Sequence, residues 1–191
     1  MLTISIVLEA VKTRPKRGGS PGTSASTTLT ESEFEQLYVT WAGPLFGYLN
    51  RMTGDHTLAE DLAQKAFVRL LGATLKTKDE PVLKSYLYRI ATNLVYDHWR
   101  RDRSESSFDD VAPIPMADSA TPLLRTDMQR LFEELEPKER ALLWLAHVED
   151  APHREIAEIL EIREKSVRVM LFRARKKFAG VLQANGYGVE S

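Results

Sequence analysis

The stretch of this chain best equipped for chemistry is basic. Between Arg163 and Phe178 it carries seven cationic side chains (Arg163, Lys165, Arg168, Arg173, Arg175, Lys176, Lys177) against one acid, Glu164, a local charge of +6. The whole chain, with 26 basic and 27 acidic residues, has a formal charge of -1. The asymmetry is therefore local, and a concentrated positive strip is what phosphate binding needs. The same segment has helix-turn-helix spacing. Ile156, Ala157, Leu160, Ile162, Val167, Met170 and Leu171 describe a short helix, a turn packed by an apolar residue, and a second helix locked by Val167 and Leu171. Ala157 suits a close helix crossing. Because the basic run falls on the second helix of that motif, contact with nucleic acid is favoured over an ordinary solvated face.

Two other groupings carry weaker signals. Lys76 and Lys78, then Tyr86, Tyr88, Arg89, Asn93, Tyr96, Trp99, Arg100, Arg101 and Arg103, interleave aromatic and basic or polar residues on and beside one helix. Such a surface could stack unpaired bases and hold their phosphates. Aromatics at helical spacing also build cores, and the residues alone leave both readings open. Asp61, Gln64 and Val68 form a stripe opposite an apolar face, which by itself reads as solvent-facing. Catalytic patterns are missing. His56, His98, His147 and His153 are scattered, and there is no HExxH, GxSxG, glycine-rich phosphate loop or EF-hand loop. The chain has no cysteine, which excludes disulfide scaffolds, thiolate metal sites and a cysteine nucleophile. No cofactor and no metal is expected, nor any enzyme activity.

The elements that must hold these groups are all helical. Thr30 with Glu33 forms a capping box, and Phe34, Leu37, Tyr38, Trp41, Leu45, Tyr48 and Leu49 then recur at three- and four-residue spacing until Gly54 and Asp55. A second run sets Leu58, Leu62, Ala66, Phe67, Leu70 and Leu71 on one side and Asp61, Gln64, Lys65 and Val68 on the other, ending near Gly72. After a polar loop containing Pro81, a third run aligns Leu83, Leu87, Ile90, Ala91 and Leu94. Residues 104 to 122 hold three prolines and four acids (Glu105, Asp109, Asp110, Asp118) with no basic residue, so they are expected to be an extended linker. Four further helices are expected from Leu123 to about Ala184, with breaks at Pro137, Pro152 and Glu161 to Arg163. The 191 residues thus divide into a leader (1 to 30), a helical domain (31 to 103), the linker (104 to 122), a helix-turn-helix domain (123 to 184) and a tail (185 to 191). The class is all-α: two small helical domains joined by an acidic linker. The leader's apolar run precedes its basic cluster and is too short to span a bilayer, so no membrane insertion and a cytoplasmic location are expected.

Taken together, residues 31 to 183 resemble the extracytoplasmic-function (ECF) group of bacterial RNA polymerase sigma factors. AEDLAQKAFVRLL (59 to 71) is similar to sigma region 2.2. That likeness implies that Glu60, Asp61, Gln64, Lys65 and Val68 dock on the clamp coiled coil of the polymerase largest subunit. SYLYRIATNLVYDHWRRDR (85 to 103) is similar to the tract that opens DNA and reads the minus-10 element. LEPKERALLWLAHVEDAPHREIAEIL (135 to 160) with KSVRVMLFRARKKF (165 to 178) is similar to region 4. The resemblance puts Arg163, Lys165, Ser166, Arg168, Phe172, Arg173, Arg175 and Lys176 at the minus-35 major groove. It further implies core RNA polymerase (clamp and flap), promoter DNA and an anti-sigma factor as partners, and a linker that threads toward the polymerase active-site cleft. The function it implies is promoter-specific initiation without catalysis. The main alternative is a stand-alone helix-turn-helix regulator whose amino-terminal half dimerises or senses a ligand.

The chain departs from the family in detail. Glu161 stands where the family usually has a turn glycine, and a positive φ there would cost roughly 1 kcal/mol. Pro152 and Arg163 replace common cap residues, Tyr86 replaces a frequent tryptophan, and Met170 and Phe172 replace polar residues on the recognition helix. A family minus-35 preference therefore does not transfer base by base.

Overall fold

In a computed structural model that describes residues 28–105 and 127–187, the chain forms seven helices and, among those residues, no strand. Three belong to the amino-terminal block: α1 (Glu31–Thr53), α2 (His56–Gly72) and α3 (Glu80–Glu105). Four belong to the second: α4 (Asp127–Glu133), α5 (Pro137–His147), α6 (His153–Ile159) and α7 (Glu164–Ala184). Most of the leader and of the acidic linker lies outside the described residues. No described helix is long and apolar enough to cross a membrane.

The helix ends follow local chemistry. Thr30 caps α1 in a full capping box with Glu33. Leu29 and Phe34, at the two positions of a hydrophobic staple, are both buried. Leu29 thus belongs to the folded core rather than to the leader in which it was expected. Lys78 donates to Glu33 at 2.7 and 2.6 Å, and with the Thr30 bonds this holds the Glu33 carboxyl down to about 2. Pro44 sits inside α1, where its missing N–H forfeits one rung of the ladder. The helix persists because Trp41, Leu45, Tyr48 and Leu49 are buried on both sides of the break. Pro81, expected in a loop, instead lies in the first turn of α3, where backbone N–H groups have no intrahelical acceptor and a residue without one loses no bond.

Aromatic rings anchor the first block. Phe67 of α2 meets Phe34 edge-on at 6.0 Å and Tyr38 at 4.8 Å. Tyr48 of α1 and Thr92 of α3 share a buried hydrogen bond of 2.7 Å, and Thr92 also donates to the Tyr88 carbonyl. In the second block, Val167, Leu171 and Ala174 of α7 are buried with Ile156 and Ala157 of α6. Ala157 is the small residue at the crossing, as its position in the sequence suggests. Phe132 of α4 meets Phe178 of α7 edge-on at 5.6 Å.

The α6–α7 turn keeps a left-handed residue without glycine. Glu161 has φ 51, and Ile162 N–H closes onto the Ala157 carbonyl at 3.0 Å. Relieving the Cβ strain by Glu161→Gly should raise stability by roughly 1 kcal/mol. A urea midpoint that stays level or falls would show instead that the turn depends on the Glu161 side chain.

The two blocks share one buried cluster. Across the seam Lys84 Nζ of α3 lies 3.0 Å from Glu149, Arg51 stacks over Trp144 at 5.7 Å, and Arg140 stacks over Trp99 at 5.3 Å.

Candidate nucleic-acid interface

Helix α7 has two faces set by its 3.6-residue period. Val167, Leu171 and Ala174 are buried, with Met170 and Phe178 half-buried beside them. Met170, although a family departure, therefore faces the core flank. On the far side Lys165, Val169, Phe172 and Lys176 follow one another at spacings of four, three and four residues, all exposed, with exposed Arg168 and Arg173 on either flank. Ser166 is half-buried in the first turn, where its N–H bonds the Arg163 carbonyl. Exposed Arg163 occupies the cap position with extended backbone and supplies no side-chain cap. It lines a shallow open concavity with His153, Glu164, Lys165 and Arg168 at the start of the helix.

Two cations of the basic run serve the fold. Arg175 Nε donates to His147 Nε2 at 3.1 Å, and Lys177 pairs with Glu139 at 2.7 Å. Both bonds tie α7 to α5. The charge left pointing outward is therefore concentrated on Arg163 at the cap and on Lys165, Arg168, Arg173 and Lys176 along the helix.

The aromatic and basic tract is more divided. On α3 Tyr86 is half-buried with the Arg89 guanidinium 5.1 Å above its ring, and Asn93 is half-buried. Tyr88 is 1% exposed, packs on Tyr48 at 5.3 Å, and joins no surface in this arrangement. Its phase explains this, since Tyr88 and Thr92 are one turn apart and both meet Tyr48. Tyr96 and Trp99 pack on each other at 6.1 Å, and burial pushes the Tyr96 hydroxyl up to about 12. Trp99 lies under Arg140 of the second block, whose guanidinium is itself largely buried. Arg100 is bound to Asp97 at 2.7 Å, while Arg101 and Lys76 are exposed. Lys78 is committed to Glu33. The Arg103 side chain lies outside the described residues. The structure thus brings Tyr86 and Arg89 together at the surface and sets Tyr96 and Trp99 into the seam.

On α2, Asp61 and Lys65 form an exposed ion pair, Glu60 and Gln64 are half-buried, and Val68 is 44% exposed. This stripe faces away from buried Leu62, Ala66 and Leu70, so the fold does not require its residue types. What sequence reading missed are the seam residues Lys84, Arg140, Trp144 and Glu149. Their partners are distant in the chain, and no local pattern marks them.

Comparison with known proteins gives two family models in order along the chain: Sigma-70 region 2 over residues 37–105 and Sigma-70, region 4 over residues 125–178. The chain is 26% identical over 149 residues to the ECF RNA polymerase sigma factor SigM of Bacillus subtilis, covering 75% of this chain and 91% of SigM. It is 27% identical to the RNA polymerase sigma factor CarQ of Myxococcus xanthus, covering 80% and 90%. Among solved structures it is similar to the sigma factor RpoE of Bartonella quintana in complex with the anti-sigma factor NepR, with TM-score 0.64 and 20% identity, covering 81% of this chain and 99% of that one. It is also similar to CnrH in complex with the cytosolic domain of CnrY, with TM-score 0.62 and 18% identity, covering 95% and 97%. At these identities the solved structures speak for the fold.

Proposed function

The chain belongs to the ECF group of the sigma-70 family, and from that premise we propose how its surfaces divide the work of directing RNA polymerase to promoters. The outward face of α7 enters the major groove of the minus-35 duplex, with Lys165, Arg168, Arg173 and Lys176 on phosphates. The α3 tract, from Tyr86 and Arg89 through Asn93, Tyr96, Trp99 and Arg101, captures the unpaired minus-10 strand. Unpairing costs several kcal/mol, which binding of unstacked bases offsets. The α2 stripe of Glu60, Asp61, Gln64, Lys65 and Val68 docks on the largest-subunit clamp of core polymerase. The protein contributes binding energy and no catalysis, works in the cytoplasm, and is held in check by an anti-sigma factor, as the similar sigma factor RpoE is seen in complex with the anti-sigma factor NepR.

The observation that carries this division is the outward positive face of α7 on the second helix of a helix-turn-helix. It acts together with a region 2 block that a stand-alone regulator would not need. The seam adds a condition. Trp99 sits beneath Arg140, so capture of the minus-10 strand requires the two blocks to part.

The docking role of α2 has its own test. Asp61→Lys removes an exposed carboxylate and repels Lys65 without touching the core, so it should weaken core-polymerase affinity by about tenfold, in keeping with a charge at an interface rim. Fluorescence titration with core enzyme reads the change, and circular dichroism should stay level. Unchanged affinity would remove α2 from the docking surface.

A further inference from the structure

The outermost side chains of the recognition helix are not its cations alone. Val169 and Phe172 are 50% and 66% exposed, and they stand between Lys165 and Lys176 on the stripe directly opposite buried Val167 and Leu171. An exposed phenylalanine on a face otherwise built of ammonium and guanidinium groups is unfavourable in free solution. It becomes favourable only where something apolar meets it. The lysines and arginines around the pair fix the occupant as a polyanion, and the helix-turn-helix fixes it as the floor of a duplex major groove.

That floor offers donors and acceptors at every base pair and one apolar group, the C5-methyl of thymine. We propose that Val169 and Phe172 read thymine methyl groups in the upstream promoter element, making this chain's preference there a methyl preference rather than a hydrogen-bonded one. The inference rests on α7 entering the groove and goes beyond it to the base chosen. Three residues along a helix advance about 4.5 Å, close to the roughly 3.4 Å between successive bases on a strand. The two side chains therefore meet methyls at neighbouring steps. Neither can pair with a donor or acceptor, so a cytosine or guanine at those steps leaves its polar edge unmatched against them.

The experiment uses the full chain assembled with core polymerase, and an upstream duplex recovered by that holoenzyme from random sequence. Thymines of the upstream element are replaced one at a time by deoxyuridine, which deletes the methyl and keeps every hydrogen-bonding group. Two neighbouring positions should each lose about fourfold in affinity on deletion of one methyl. With Phe172→Ala or Val169→Ala, both at exposed positions, one of those losses should vanish. If uracil at every upstream thymine leaves affinity unchanged while the salt dependence persists, the methyl reading is overturned and the groove placement stands. If Phe172→Ala weakens holoenzyme assembly and uracil still has no effect, the pair belongs to a protein contact, and the proposal falls. If affinity for the upstream duplex shows no dependence on the α7 cations, the groove placement fails first, and the methyl reading with it.

Discussion

Replacing Arg168, Arg173 and Lys176 together with alanine should lower affinity for the upstream promoter duplex by about 100-fold at physiological salt. The slope of log affinity against log salt should flatten by about 3. All three side chains are exposed and form no ion pair with the described residues, so their charge is free to displace counterions from DNA. Each neutralised phosphate contributes close to one unit of slope, and near 0.15 M salt three of them correspond to about two decades of affinity. Folding should be spared, because α7 packs through Val167, Leu171 and Ala174 on its opposite side. Arg175→Ala is the internal comparison. Its guanidinium is bonded to His147 of α5, so its loss should change the slope less than loss of Arg168 does. A triple variant that keeps both affinity and slope would take α7 out of the groove.

The second large effect concerns the seam. Glu149 has only 8% side-chain exposure, lies 3.0 Å from Lys84 Nζ, and accepts from Trp144 Nε1 at 3.3 Å. Glu149→Lys sets two ammonium groups against each other and removes the indole's acceptor. The cost lies between that of an exposed pair and that of a fully enclosed one, about 2 kcal/mol, a shift of about 30-fold toward parted blocks. Because the chain has no cysteine, Val39→Cys and Ala179→Cys, both at exposed positions, supply the only two thiols for spin labels. Glu149→Lys should broaden and lengthen their distance distribution, and adding Lys84→Glu should restore it by re-forming the pair in reverse. A distribution unmoved by Glu149→Lys would show that this pair does not hold the blocks together.

These two results separate what was legible in the sequence from what was not. Helix limits were legible because they depend on neighbours: the Thr30 and Glu33 box, the stop at Gly54, and the break at Glu161. The helix-turn-helix was legible because Ile156, Ala157, Val167 and Leu171 carry its packing within a short span. Proline marks a boundary, so sequence alone puts Pro81 in a loop, yet the first helical turn is also such a boundary. The α3 tract was only partly legible. Periodicity says that Tyr88, Tyr96 and Trp99 recur on a helix, but not which faces are covered, and the covering groups Tyr48 and Arg140 are each about 40 residues away or more. From sequence Lys78 reads as a free cation for the same reason, since its partner Glu33 is 45 positions distant. The turn at Glu161 kept its left-handed geometry without glycine, because the packing of α6 on α7 outweighs roughly 1 kcal/mol of local strain.

Run-off transcription with purified core polymerase on genomic promoter fragments tests the central claim most directly. Core enzyme with this chain should produce transcripts from defined start sites where core alone produces none, and the α7 triple variant should lose them in proportion to its affinity. Equal transcription with and without the chain, while the chain alone still binds duplex DNA tightly, would contradict the account and favour a stand-alone regulator.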